Sequence, residues 1–147
     1  MGWEFGAQRA AAAIAAALAF FVLFAPADAS ADPCTAALPS GEGTEFAGIV
    51  RHIIDGDSLC VGPADGGGQT WIEVRLMDFD APESNQSGGQ DAERILSRLT
   101  LAQPAHCTVT RGRSGTRSYD RVHAICRVNG RTIGELMREA SAPEGGN

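Results

Sequence analysis

With 147 residues, 44% of them apolar and 20% charged, the chain has material for one small domain around a single core. A formal charge of −6 argues against a broadly basic, nonspecific nucleic-acid binder, although an acidic bulk leaves room for a local arginine cleft.

The first segment reads as a secretory signal peptide, residues 1–29. Residues 10–25 are an uninterrupted apolar run, shorter than the ~20 residues a membrane span needs. It follows Arg9 and leads to Ala27-Asp28-Ala29, a small-x-small cleavage pattern, with Ala29-Ser30-Ala31 as a competing site. The expected location is periplasmic or secreted from a bacterium, with no stable membrane association after cleavage. All four cysteines, Cys34, Cys60, Cys107 and Cys126, lie beyond that point. An even count in an exported small domain favours two disulfides, and the wide spacing disfavours zinc.

Residues 30–44, rich in Ala, Pro, Ser and Gly, form a flexible leader tethered by Cys34. Residues 45–54 read as a strand ended by the Asp55-Gly56 turn. Residues 57–62 continue as a second strand, with Leu59 and Val61 on one face and Ser58 and Cys60 on the other. A glycine-rich hairpin loop leads to a third strand over 71–77. There Ile72, Val74 and Leu76 face one way, and Arg75 the other, toward a cleft.

Pro82 disfavours helix at Ala81, so residues 80–83 should be a fixed loop. Residues 91–101 carry a helical stripe of Ala92, Ile95, Leu96 and Leu99, with Asp91 placed well for the helix dipole. Residues 105–111 and 121–128 read as a strand pair with Cys107 and Cys126 on its inner face. Asn129-Gly130 is a turn, residues 132–140 a short helix, and residues 141–147 a frayed tail. This order describes an antiparallel five-stranded barrel of the OB type with helices, an α+β fold. Strand parity favours the pairings Cys34–Cys60 and Cys107–Cys126.

Three carboxylates, Asp57, Asp80 and Glu83, together with Arg75 and Arg121, suit a hard cation and an anionic substrate such as a phosphodiester. Plainer roles compete. Asp57 can simply flank a turn, Asp80 and Glu83 can be solvated loop acids, and Arg75 can pair with Glu73. Arg111, Arg113 and Arg117 make a basic loop that either touches phosphates or is merely solvated. His52, His106 and His123 read as surface or edge residues, and Asp78 has no assigned role.

Four segments stand in order: Ile54-Asp55-Gly56-Asp57-Ser58, Val74-Arg75-Leu76 leading to Asp80-Ala81-Pro82-Glu83, Gly89-Gln90-Asp91-Ala92, and Tyr119-Asp120-Arg121. Together they resemble the thermonuclease (staphylococcal nuclease-like) family, roughly over residues 45–140. That resemblance implies a calcium-dependent phosphodiesterase cleaving DNA and RNA on an OB-type barrel. It implies calcium ligation by Asp57, Asp80 and the Ala81 carbonyl, with Glu83 as general base. Arg75 and Arg121 would clamp the phosphate, and Tyr119 would border the nucleotide.

The expected partner is single-stranded or denatured nucleic acid, met by a monomer. The chain departs from the family pattern at Asp120, where a glycine is usual, and at Gly134, where many members have a capping asparagine. The family's third C-terminal helix has no expected counterpart. The alternative is a noncatalytic OB module binding nucleic acid, another polyanion or an envelope protein.

Overall fold

The computed structural model describes residue 1, residues 33–65 and residues 70–145; the expected signal peptide lies outside the described residues. Nine elements follow in order: β1 (Glu45–Ile53), β2 (Ser58–Gly62), β3 (Ile72–Leu76), α1 (Gly89–Thr100), β4 (Pro104–Val109), β5 (Arg117–Ser118), β6 (Arg121–Val128), β7 (Arg131–Thr132) and α2 (Ile133–Glu139). No helix among the described residues is long and apolar enough to cross a membrane.

The two-residue strands β5 and β7 carry too little sequence pattern to be foreseen. Each is the short arm of a hairpin on β6. Asn129 and Gly130, with φ of 52° and 79°, make the two-residue turn into β7, where both positions need the left-handed region.

Five strands close a barrel. β1 pairs antiparallel with β2 and β4, β2 with β3, and β4 with β6, while β3 and β6 meet in parallel through Val74↔Val122 and Leu76↔Ala124. The expected all-antiparallel arrangement is corrected here to a mixed barrel. Around a ring of five, directions cannot alternate throughout, so one neighbouring pair must be parallel.

Alternation along the strands fills the interior. Ala105, Cys107 and Val109 point inward from β4, and Val50, Leu59, Val61, Val74, Leu76, Val122 and Val128 complete the layer. Ala92 and Leu96 of α1 and Ile133 and Met137 of α2 are fully buried against it. Both helices thus contribute the stripe that their spacing demands.

Both disulfides have the expected pairing, Cys34–Cys60 and Cys107–Cys126. Cys60 sits on the outer face of β2, yet it is fully buried, because the leader lies over it. Ala36 donates its N–H to the Trp71 carbonyl at 2.9 Å, and Gly43 donates to Val109 at 2.9 Å, so residues 33–44 are fixed along the barrel. The residues after α2, expected to fray, also return to it. Ala142 is buried, and Gly145 N–H donates to the Asp80 carbonyl at 2.8 Å.

Asp78 acquires a role. Its Oδ2 accepts from the Gly134 N–H at 2.9 Å, satisfying a first-turn donor of α2, while Thr132 and Glu135 form a capping box at the same end. A Cβ at position 134 would stand 2.4 Å from the Asp78 carbonyl oxygen. Glycine here is therefore a packing requirement.

Gly134→Ala tests this by sign. Alanine in a helix ordinarily stabilises by roughly 0.5–1 kcal/mol over glycine, whereas forced displacement here should cost about 1–3 kcal/mol. Urea unfolding decides, and a higher midpoint for the variant would refute the packing argument. Removing either disulfide by paired Cys→Ala substitution, at 34 and 60 or at 107 and 126, should cost about 2–4 kcal/mol in the same assay. A midpoint matching the parent would show that cross-link to be energetically idle.

Candidate active site

The site forms where the turn after β1, the end of β3 and the loop after it converge. Gly56 makes this possible. A Cβ there would come within 2.5 Å of the Ala81 Cβ and 2.7 Å of the Ala92 Cβ, so only glycine lets the turn press against both. Asp57 N–H then donates to Asp55 Oδ1 at 3.0 Å, and the Asp57 carbonyl accepts from Leu76 N–H at 2.8 Å. This aims the Asp57 side chain across to the loop, where Oδ2 accepts from Ala81 N–H at 2.8 Å.

Arg75 bridges the two acids. Its Nη1 donates to Asp57 Oδ1 at 2.5 Å, and its Nη2 donates to Asp80 Oδ1. The ion pairs differ in setting, since the Asp57 side chain is 3% exposed and that of Asp80 45%. The Asp80 pair is therefore well screened, and the Asp57 pair is not. Burial pushes the Asp57 carboxyl from 3.8 up to about 7; the Ala81 N–H and Arg75 pull it down, and Asp55 adds a further upward push. A single guanidinium, shared with Asp80, leaves this carboxylate short of compensating charge.

Arg121 enters from β6. Its Nη1 donates to Ser58 Oγ at 2.9 Å, and Ser58 Oγ in turn donates to Asp57 Oδ1 at 3.3 Å. Arg121 Nε lies 3.7 Å from Glu73 Oε1, an ion pair without a hydrogen bond. The two arginines are thus linked through Ser58 and Asp57.

A cleft of about 500 Å³ opens over this network, lined by Arg75, Asp80, Glu83, Tyr119 and Arg121 together with Met77 and Phe79. Asp57 and Ala81 lie buried just behind. Glu83 stands on the exposed loop, ordered by Gln86 N–H donating to the Glu83 carbonyl at 2.8 Å. Tyr119 is exposed at the hairpin turn between β5 and β6, with φ of 53°.

The ligands expected from sequence, Asp57, Asp80 and the Ala81 carbonyl, would offer a cation oxygen only. That suits a hard cation such as calcium, and the charge deficit at Asp57 fits the same ion. Among the described residues no group of three or more His, Cys, Asp and Glu side chains stands at metal-binding distance.

The residues singled out from sequence are brought together, with Glu83 and Tyr119 at the rim. Four participants were missed. Ser58 is fully buried between Arg121 and Asp57; parity could have given only the face that it takes. Glu73, expected beside Arg75, is instead buried against Arg121. Asp55 lines the cleft and supports the Asp57 turn. His123, expected at the surface or an edge, is 5% exposed and also lines the cleft. It shares the strand parity of Arg121, the signal that could have placed it.

No family model matches the chain. It is similar to micrococcal nuclease from Shigella flexneri, with 41% identity over 64 residues, covering 44% of this chain and 34% of that protein. The chain thus matches about a third of the length of that curated relative. The closed five-stranded barrel with two helices is of the OB type that staphylococcal nuclease-like proteins share, and the partial match makes the chain similar to one nuclease over that stretch.

Proposed function

We propose that the protein is an exported, calcium-dependent nuclease that hydrolyses phosphodiester bonds of DNA or RNA. The observation that carries this reading is the cleft in which Arg75 joins Asp57 to Asp80, with Glu83 and Arg121 on the same walls. The relative named a nuclease supports it in outline. Export is supported by the apolar run at residues 10–25 and by two disulfides, which persist in oxidising compartments.

Calcium held by Asp57, Asp80 and the Ala81 carbonyl would supply Lewis-acid charge to a phosphoryl oxygen. The chain's own groups account for the remainder. Arg75 offers a planar fork, now shared between two carboxylates, whose geometry matches two phosphate oxygens. Arg121, held by Ser58 and Glu73, presents a second guanidinium to the negative charge that builds on phosphate as water attacks. Glu83 accepts the proton of that water from the exposed rim.

Glu83→Gln should lower the rate on single-stranded DNA by about 10²–10⁴-fold while fold and calcium affinity stay intact. Unchanged turnover would remove Glu83 as the base. Absence of calcium-dependent cleavage by the folded, oxidised parent chain would overturn the nuclease reading as a whole.

Asp57 makes a separate pH prediction. Its folded pKa is raised from 3.8 to about 7, so the folded state holds a proton that the unfolded state releases. In chelator, its contribution to stability therefore falls as pH rises from about 4 to about 7. Melting curves of the parent and Asp57→Asn should converge at low pH and diverge above neutrality, with the parent the less stable. Calcium should restore the parent at pH 8 and leave the variant unmoved. Parallel pH profiles in chelator would contradict the burial argument.

A further inference from the structure

His123 is a buried histidine that the proposed reaction leaves unused, and every polar group it has goes to one loop. Its backbone N–H donates to the Thr116 carbonyl at 2.9 Å, and its carbonyl accepts from Thr110 N–H at 2.9 Å. Ring Nδ1 lies 2.9 Å from the Gly115 carbonyl, and ring Nε2 lies 2.9 Å from Ser118 Oγ. A carbonyl only accepts, so Nδ1 carries the proton. In the neutral ring Nε2 then accepts from the Ser118 hydroxyl.

The loop so held is itself a tight hairpin. Gly112 and Gly115 exchange hydrogen bonds at 2.8 and 3.2 Å, leaving Arg113 and Ser114 at the tip. Gly115 takes φ of 101°, and a Cβ at Gly112 would stand 2.8 Å from His123 Nδ1. Backbone and ring therefore press together as closely as glycine permits.

Arg113, at that tip, lines the same cleft as Arg75 and Arg121. Arg111, two residues earlier, is paired with Glu42. Arg113 has no hydrogen bond or ion pair among the described residues, and it is exposed. A guanidinium presented on a hydrogen-bonded turn, without a partner, toward a cleft with two further arginines has the form of a separate phosphate contact.

We propose that Arg113 binds a second phosphate of the same strand, flanking the one held by Arg75 and Arg121, and that His123 is the residue that positions it. This rests on the nuclease reading above. Arg113 touches substrate away from the reacting atoms, so its contribution lies in KM. His123 acts only through the loop.

The test is initial-rate kinetics of the oxidised chain on a single-stranded DNA oligonucleotide, with calcium, across a salt series. Arg113→Ala should raise KM by about fivefold, the worth of one net hydrogen bond, with kcat held. It should also reduce the salt slope by about 0.7, the value of one phosphate contact on a single strand. Arg131→Ala, the same charge change at a remote residue paired with Glu139, should do neither. His123→Leu should raise KM as Arg113→Ala does, and combining the two should add little. His123→Asn, which keeps a donor for Gly115, should recover part of the loss.

Equal KM and equal salt slope for the parent and Arg113→Ala would overturn the inference while leaving the nuclease intact. So would a fall in kcat alone. If the parent does not cleave, the nuclease reading fails by itself. Anisotropy of the same labelled oligonucleotide then decides this one, and identical affinity and salt slope for the parent and Arg113→Ala overturn it.

Discussion

The buried carboxylate of Asp57 is the constraint around which the site is arranged. An ionised group at this depth is costly unless hydrogen bonds and opposite charge surround it. Ala81 N–H, Ser58 Oγ and the Arg75 guanidinium supply these, and each comes from a different segment. The turn after β1, strand β2, strand β3 and the loop beyond it are thereby drawn to one point. Gly56 removes the side chain that would hold the turn away from Ala81 and Ala92. Even so, the carboxylate remains undercompensated, and that deficit is what a bound cation would relieve.

The loop that carries Asp80, Ala81 and Glu83 has no regular structure of its own, so its order must come from its neighbours. Asp78 anchors its start to the first turn of α2, and Arg138 Nη2 donates to the Asp78 carbonyl at 2.7 Å. The Arg138 guanidinium also stands 5.7 Å from the Phe79 ring centroid, within cation–π range. Gly145 closes on Asp80 from the far side. The second helix and the segment after it therefore act as a brace for the loop. On the opposite wall the leader is riveted to β2 through Cys34 and Cys60. A small barrel gains rigidity from both, where its core alone is modest.

The chain has no lysine; all twelve of its basic residues are arginine. In the cleft this choice has consequences. A guanidinium can hold two acceptors at once in fixed directions, as Arg75 does with Asp57 and Asp80. An acidic protein with a net charge of −6 is poorly suited to gathering polynucleotide from a distance. On the proposed function, affinity would then have to come from short, directed contacts inside the cleft.

Much of this was legible along the chain, for stated reasons. Period-two alternation and turn residues specify β1, β2, β3, β4 and β6 to within a few residues, and helical spacing specifies α1 and α2, because each element must bury one face. Parity alone paired the cysteines, since Cys107 and Cys126 share the inner face, while Cys60 lies on the outer face that the leader can reach. The order of acids and arginines likewise exposed Asp57, Arg75, Asp80, Glu83 and Arg121 as one set. What the chain order could not convey is who meets whom across the barrel. The parallel closure of β3 on β6 follows only from counting strands in a ring. The partnership of Asp78 with α2, the burial of Ser58 and Glu73 beside Arg121, and the four bonds of His123 to its loop all join residues distant in sequence or on short, patternless segments. Local propensity records which face a side chain takes; the distance to its partner is set by closure of the barrel, and that is a property of the tertiary structure alone.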